Sequence, residues 1–199
     1  MTLQIIDSTS VGDPAAFLPL ATLCARLAAT SPAPRDRGRV VLLVRRGEAG
    51  RREEPREALL TASRGMPGDA WFRKKPDQLD AQLTAVQHAI GMLIANGQPL
   101  ALFGDSLFLD LDLSASNLPV GSRLRAGAAL LEVTPKPHRG CSKYSGRFGP
   151  DALRFVAHPE RRSLNLRGIY LRVVEDGAVA VGDPAEVLSR PPAGEPMAV

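Results

Sequence analysis

The segment best equipped for chemistry is Thr134-Pro135-Lys136-Pro137-His138-Arg139-Gly140-Cys141-Ser142-Lys143-Tyr144. Two prolines stiffen the approach to its cysteine. Gly140 lets the backbone pass close to a partner or take a positive φ. Lys136, His138, Arg139, Lys143 and Arg147 all stand within six residues of Cys141. Positive neighbours favour a thiolate, which is the nucleophilic and metal-ligating form of the side chain. The same charges suit an anionic cofactor. A soft thiolate serves as a persulfide carrier or as a ligand to a high-valent metal. Spacing alone also allows an ordinary buried cysteine in a connection. His138 is placed to tune the thiol, or is a surface residue. Asp110 and Asp112 alternate with Leu109, Leu111 and Leu113. That is half-buried strand patterning, not a catalytic carboxylate pair.

Several elements must position this loop. Asp13-Pro14 caps a helix over 15–29, with Phe17, Leu20, Leu23 and Leu27 at helical spacing, and the prolines after Ser31 end it. Residues 1–36 are expected to form an N-terminal helical extension packed on the main domain, and 189–199 a flexible tail. Val40–Val44 reads as a buried strand, and 45–58 as a solvated loop or polar hairpin. Leu79, Leu83, Val86, Ile90 and Leu93 share a helical face, although Gln82–Val86 would also suit a strand. From residue 99 short apolar runs alternate with glycine turns. They comprise Leu100–Phe103, Leu107–Leu113, Arg123–Arg125, Ala128–Val133, Ile169–Val174 and Ala178–Val181. Asp176-Gly177 is the clearest hairpin signal. Residues 151–155 suit a short helical turn. The pattern predicts a mostly β barrel with a few helices.

Composition sets outer bounds. Hydrophobic residues make up 44% and charged residues 23% of the 199, enough for a globular core. Lys and Arg exceed Asp and Glu by 25 to 21, a balance that can attract anions such as a phosphate-bearing cofactor or nucleic acid, or that simply makes a solvated basic surface. Without an aromatic-rich basic stripe, nucleic-acid binding is not expected. Cys24 lies in an apolar run and Cys141 in a polar loop, so no disulfide is expected between them. No zinc spacing, secretory leader or apolar membrane span is legible, and a reducing cytoplasm fits best.

The order of short motifs also resembles the MOSC domain, named for the C-terminal domain of molybdenum cofactor sulfurases. The matching pieces are Gly104-Asp105-Ser106-Leu107, Leu111-Asp112-Leu113-Ser114, Asn117-Leu118-Pro119-Val120-Gly121 and Gly127-x-Ala129-x-Leu131-Glu132-Val133-Thr134. After them come Pro137-His138-x-Gly140-Cys141-x-Lys143, Arg147-Phe148-Gly149, Leu166-Arg167-Gly168-Ile169-Tyr170 and Val181-Gly182-Asp183. Gly65-x-x-Gly68-Asp69 looks like the domain's opening motif. The resemblance spans roughly 38–188, and a domain over 37–188 is expected.

The resemblance implies a mostly β barrel, related to the pyruvate kinase barrel, with Cys141 as the defining cysteine. Relatives use that cysteine to carry sulfur or to ligate molybdenum in reductases of N-hydroxylated compounds. Cys141 and His138 are therefore the expected catalytic pair, with Cys141 also the metal ligand. Lys136, Lys143, Arg147, Arg167, Arg64, Asp69, Ser106 and Asn117 are expected at the molybdenum cofactor (molybdopterin). The chain departs from many relatives at Arg64, where they carry histidine before the glycines, and at Ser106, where they carry asparagine. No pyridoxal phosphate is expected, because the sulfurase domain that binds it is absent. A separate protein would donate electrons or sulfur; a cofactor-free persulfide carrier and a non-catalytic small-anion-binding module are the alternatives.

Overall fold

The computed structural model describes residues 11–191. A 3-10 turn over Pro14–Ala16 leads into α1 (Leu20–Ala29). Pro19 separates the two, so the helix starts five residues later than its periodicity suggests. Asp13 caps only the 3-10 turn, accepting from the Ala15 N–H. Then follow β1 (Arg37–Leu43), the hairpin β2 (Arg45–Arg46) and β3 (Arg52–Glu53), β4 (Glu57–Leu60) and α2 (Ala70–Lys74). β5 (Leu83–Gln87) runs directly into α3 (His88–Ala95). A 3-10 helix over Leu100–Phe103 precedes β6 (Leu107–Leu109), β7 (Arg123–Ala126) and β8 (Ala129–Val133). The chain continues through α4 (Ser142–Phe148), α5 (Pro150–Ala157), β9 (Ile169–Glu175), β10 (Gly177–Ala180) and β11 (Pro184–Ser189).

Seven strands close a barrel in the order β1-β11-β7-β8-β9-β5-β6, with β6 pairing back onto β1. Every pairing is antiparallel except β5 with β6. A parallel pair needs a crossover, and α3 with the following 3-10 helix supplies it. Leu43, Leu83, Leu107, Leu124, Leu131 and Leu171 fill the interior. A second apolar cluster lies between the wall and the helices, around Leu23, Val86, Ile90, Phe103, Phe108 and Phe148. The helical face expected over 79–93 is thus split among three elements, a 3-10 turn over Leu79–Ala81, β5 and α3. β5 is buried on both sides, Leu83 and Ala85 toward the barrel and Val86 toward the helices. A strand covered on both faces loses its alternation and imitates a helix.

Two further expectations changed. Leu100–Phe103 is 3-10 rather than strand, set off by Pro99 and ended by Gly104 in the left-handed region (φ 69°). Asp176-Gly177 joins strands that do not pair, because β9 stays in the barrel while β10 leaves to pair with β4. The Asp176 carboxylate accepts from the Ala62 N–H, 2.8 Å away, at the foot of that ribbon. β11, which closes the barrel between β1 and β7, carries no clear strand signal. Arg190 is tied down, donating to the Asn117 carbonyl at 2.7 Å, and most of the expected tail lies outside the described residues. α1 packs on α3 and α5.

Leu131 is fully buried in the barrel, whereas Leu188 is half exposed. Leu131→Ala should cost about 2–5 kcal/mol in denaturant unfolding, and Leu188→Ala less than about 0.5 kcal/mol.

Candidate functional site

A cleft of about 720 Å³ opens at one end of the barrel. Its floor is an ion pair between the segments that lead into β6 and β9. Ala85 of β5 pairs with Leu107 on one side and Ile169 on the other. Asp105 and Arg167 each stand two residues before those partners, in the segments that lead into β6 and β9, and their side chains meet across the end of the barrel. Gly168 (φ 97°) lets the chain before β9 pass close to β5, because a Cβ there would collide with the Ala85 carbonyl. Arg167 Nη1 donates to Asp105 Oδ2 at 2.5 Å, with side chains 11% and 1% exposed. The guanidinium lies over the rings of Tyr144 (4.9 Å) and Phe103 (5.9 Å). Burial alone would lower the Arg167 pKa; the charge and hydrogen bond of Asp105, together with Tyr144 and Tyr170, offset it and hold the arginine above its ordinary value.

His138 also faces this pair, Nε2 lying 3.5 Å from Asp105 Oδ1. Burial and the charge of Arg167 push its pKa down to about 3, against the pull of Asp105. It is therefore a neutral imidazole in contact with a carboxylate, not half of an ion pair. Its ring packs on Tyr170 at 4.5 Å. Among the described residues, His138 Nδ1 and the Tyr144 hydroxyl are buried without a hydrogen-bond partner. Burial drives the Tyr144 hydroxyl far above its usual range, so it stays protonated.

The walls are cationic. Nine lysines and arginines line the cleft against two carboxylates, Glu48 and Asp105. One wall is the β2–β3 hairpin, bearing Arg46 and Arg52, with Arg73, Lys74 and Lys75 around α2. Another is the cysteine loop and α4, bearing Lys136, Lys143 and Arg147. Lys136 Nζ donates to Gln78 Oε1 at 3.0 Å and sits 5.9 Å from the Tyr170 ring. Arg147 Nη1 donates to the Leu102 carbonyl at 3.0 Å.

Cys141 is exposed and immediately precedes α4. It stands at the rim and is near enough to Arg147 and Tyr170, both lining residues, to act on them electrostatically. Gly140 passes close to α5, where a Cβ would meet the tip of the Leu153 side chain and force it to shift. The Thr134 hydroxyl anchors the start of the loop on the Asp80 carbonyl at 2.7 Å.

The structure therefore gathers Cys141, His138, Lys136, Lys143, Arg147 and Arg167 in or beside one cleft. Asp69 stands behind it, 3% exposed, accepting from the backbone N–H, Nε and Nη2 of Arg46 and from the Trp71 N–H. Arg46 offsets the cost of burial and keeps Asp69 ionised, below its ordinary pKa. Ser106 lies in the barrel, bonded to Thr84, which lines the cleft. Arg64 is exposed and lies over Phe72 at 5.6 Å, outside the lining. Asn117 is fully buried elsewhere, joining Arg35, Asp112 and Arg190. Sequence reasoning did not single out Arg46 and Arg52, which look like part of a solvated run. Their signal is a period of two, with Arg45 and Glu53 on one face of a hairpin and Arg46 and Arg52 on the other. Among the described residues no cluster of three or more His, Cys, Asp or Glu could hold a metal.

A closed barrel with helices on its wall and one cysteine at the rim of a cationic cleft defines the class. The family model of the MOSC domain matches residues 78–186, and the chain belongs to that family. Among solved structures, it is similar to YiiM from Escherichia coli (TM-score 0.51, 24% identity, covering 76% of this chain and 70% of that one). It is also similar to the YuaD protein of Bacillus subtilis (TM-score 0.54, 18% identity, 80% and 100% covered). A structure described as a hypothetical protein aligns at TM-score 0.57 and 21% identity, over 78% and 70% of the two chains. These likenesses concern the fold. No curated protein matches significantly in sequence. No described helix is long and apolar enough to cross a membrane.

His138 predicts a pH effect. The unfolded residue protonates near 6.5 and the folded one only near 3. Between those values the unfolded chain binds more protons, so stability falls as pH falls through the window. His138→Gln should lose less stability than wild type over that range, by on the order of a few kcal/mol at its acid end. Parallel urea titrations at stepped pH measure the difference.

Proposed function

We propose that the chain binds the molybdenum cofactor in this cleft and reduces N-hydroxylated compounds, with Cys141 as the protein's ligand to the metal. The observation that carries this reading is the pairing of one exposed thiol with a cleft lined by nine cations and two carboxylates. A metal that brings its own ligands on an anionic organic group suits this donor set: it needs a single soft ligand and positive walls. The cleft volume is in the range of small-molecule sites.

In this reading Lys136, Lys143, Arg147 and Arg167 hold the anionic parts of the cofactor. Asp105 fixes the Arg167 side chain, and Asp69 fixes Arg46. His138, being neutral, adds no positive charge and offers its imidazole as a hydrogen-bonding group. Bound there, the cofactor supplies a centre able to pass two electrons to the N–O bond of the substrate. Two protons complete the products, an amine and water. A separate reductase supplies the electrons. A second reading has one observation in its favour. Cys141 is exposed at the rim, which suits a persulfide that receives sulfur from one protein and passes it to an acceptor.

Protein made in a cofactor-producing host should contain stoichiometric molybdenum, lost in Cys141→Ala. Wild-type protein free of molybdenum despite cofactor supply would contradict the reading. A sulfur adduct on Cys141 in the mass spectrum of that protein would then favour the carrier.

A further inference from the structure

Breaking an N–O bond expels an oxygen, and hydroxide is a poor leaving group. An acid in contact with that oxygen lets it depart as water. The lining of the cleft holds two hydroxyls, those of Thr84 and Tyr170. Thr84 is buried, and its Oγ1 accepts from the Ser106 N–H at 3.0 Å. The Tyr170 hydroxyl bonds to no described residue. Other proton carriers are engaged or out of reach. His138 Nε2 faces Asp105, Lys136 Nζ is bonded to Gln78, and the Tyr144 hydroxyl is buried outside the lining.

The fold fixes the Tyr170 ring. In β9 it stands between Ile169 and Leu171, which are buried in the barrel, so its own side chain turns outward. Its carbonyl accepts from the Thr134 N–H at 3.1 Å, where the cysteine loop begins. His138 packs on the ring at 4.5 Å, and Lys136 Nζ lies 5.9 Å from its centre. The hydroxyl is close enough to Asp105, Arg167, Arg46 and Cys141 for their charges to act on it, which sets it among the groups of the cleft. Burial first, and then Asp105 and Cys141, raise its pKa against the two arginines, so the phenol carries its proton at neutral pH.

We propose that Tyr170 is the catalytic acid of the reductive cleavage: its hydroxyl donates a proton to the departing oxygen as the N–O bond breaks. This rests on the reductase reading of the cleft. Two electrons, supplied by the separate reductase, enter the N–O bond. The oxygen leaves as water with the phenolic proton, and the nitrogen takes the second proton from solvent. Solvent then returns a proton to the Tyr170 phenolate.

The test follows reduction of benzamidoxime, an N-hydroxylated amidine, by molybdenum-loaded protein with reduced methyl viologen as the electron source. Tyr170→Phe keeps the ring against His138 and removes only the hydroxyl. It should lower kcat about a hundredfold, at unchanged molybdenum content and unchanged calorimetric Kd for benzamidoxime. With O-acetylbenzamidoxime the departing group is acetate, which needs no proton. There the variant should stay within about twofold of wild type. A second readout needs no turnover. The chain has two tyrosines, Tyr144 and Tyr170. In oxidised, loaded wild type isotope-labelled at tyrosine Cζ, benzamidoxime without reductant should shift the Tyr170 resonance, which Tyr170→Phe identifies. Equal loss on both substrates, an unchanged kcat, or a Tyr170 resonance that stays put at saturating benzamidoxime would overturn the acid and leave the reductase reading standing. Loaded wild type that reduces neither substrate would overturn the reductase reading, and the acid with it.

Discussion

The buried contact between Asp105 and Arg167 is the constraint on which the site depends. Neither residue could lie under the cleft alone, since an unpaired ion there would cost several kcal/mol. Together they join the chain just before β6 to the chain just before β9, the two neighbours of β5. Arg167 is then sandwiched against Tyr144 and Phe103, which ties α4 and the 3-10 helix to the same point. The cysteine loop enters α4, so the position of Cys141 is set from this floor. A well-packed apolar pair could have been as stable here. What the ion pair adds is a fixed carboxylate that uses up one negative charge internally and orients a cation.

The same economy of charge recurs around the cleft. Asp69 is spent on Arg46, and Glu53 on Arg45. Acidic groups are thus engaged behind or beside the arginines, while positive side chains dominate the lining. In a partly enclosed site such an excess is felt more strongly than in bulk water. His138 fits this pattern. Burial first, and then the charges of Arg167 and Arg46, disfavour a second proton, so it stays neutral.

Much of this was legible in the sequence. The cysteine loop, its basic neighbours and the late Arg167-Gly168 turn were visible as types and spacings, and the barrel as short strands between glycine turns. What could not be read was pairing. Asp176-Gly177 has hairpin chemistry, yet its strands separate because β4 competes for β10. β5 looked partly helical because both of its faces are covered. Arg46 and Arg52 were lost in a charged run, since nothing local says that one face of a two-rung hairpin turns inward. Asn117 and Ser106 carry suitable polar groups, but their hydrogen bonds go to the protein's own backbone and side chains. Local sequence records which groups exist; the long-range register decides which of them share a site.

The central claim is that Cys141 sulfur reaches the metal of a cofactor held in this cleft. Molybdenum K-edge X-ray absorption on loaded wild type and loaded Cys141→Ser addresses it directly. The account predicts fewer sulfur scatterers at molybdenum in the variant, with an oxygen or nitrogen scatterer in their place. Identical spectra from equally loaded samples would contradict it, leaving Cys141 outside the metal's coordination sphere.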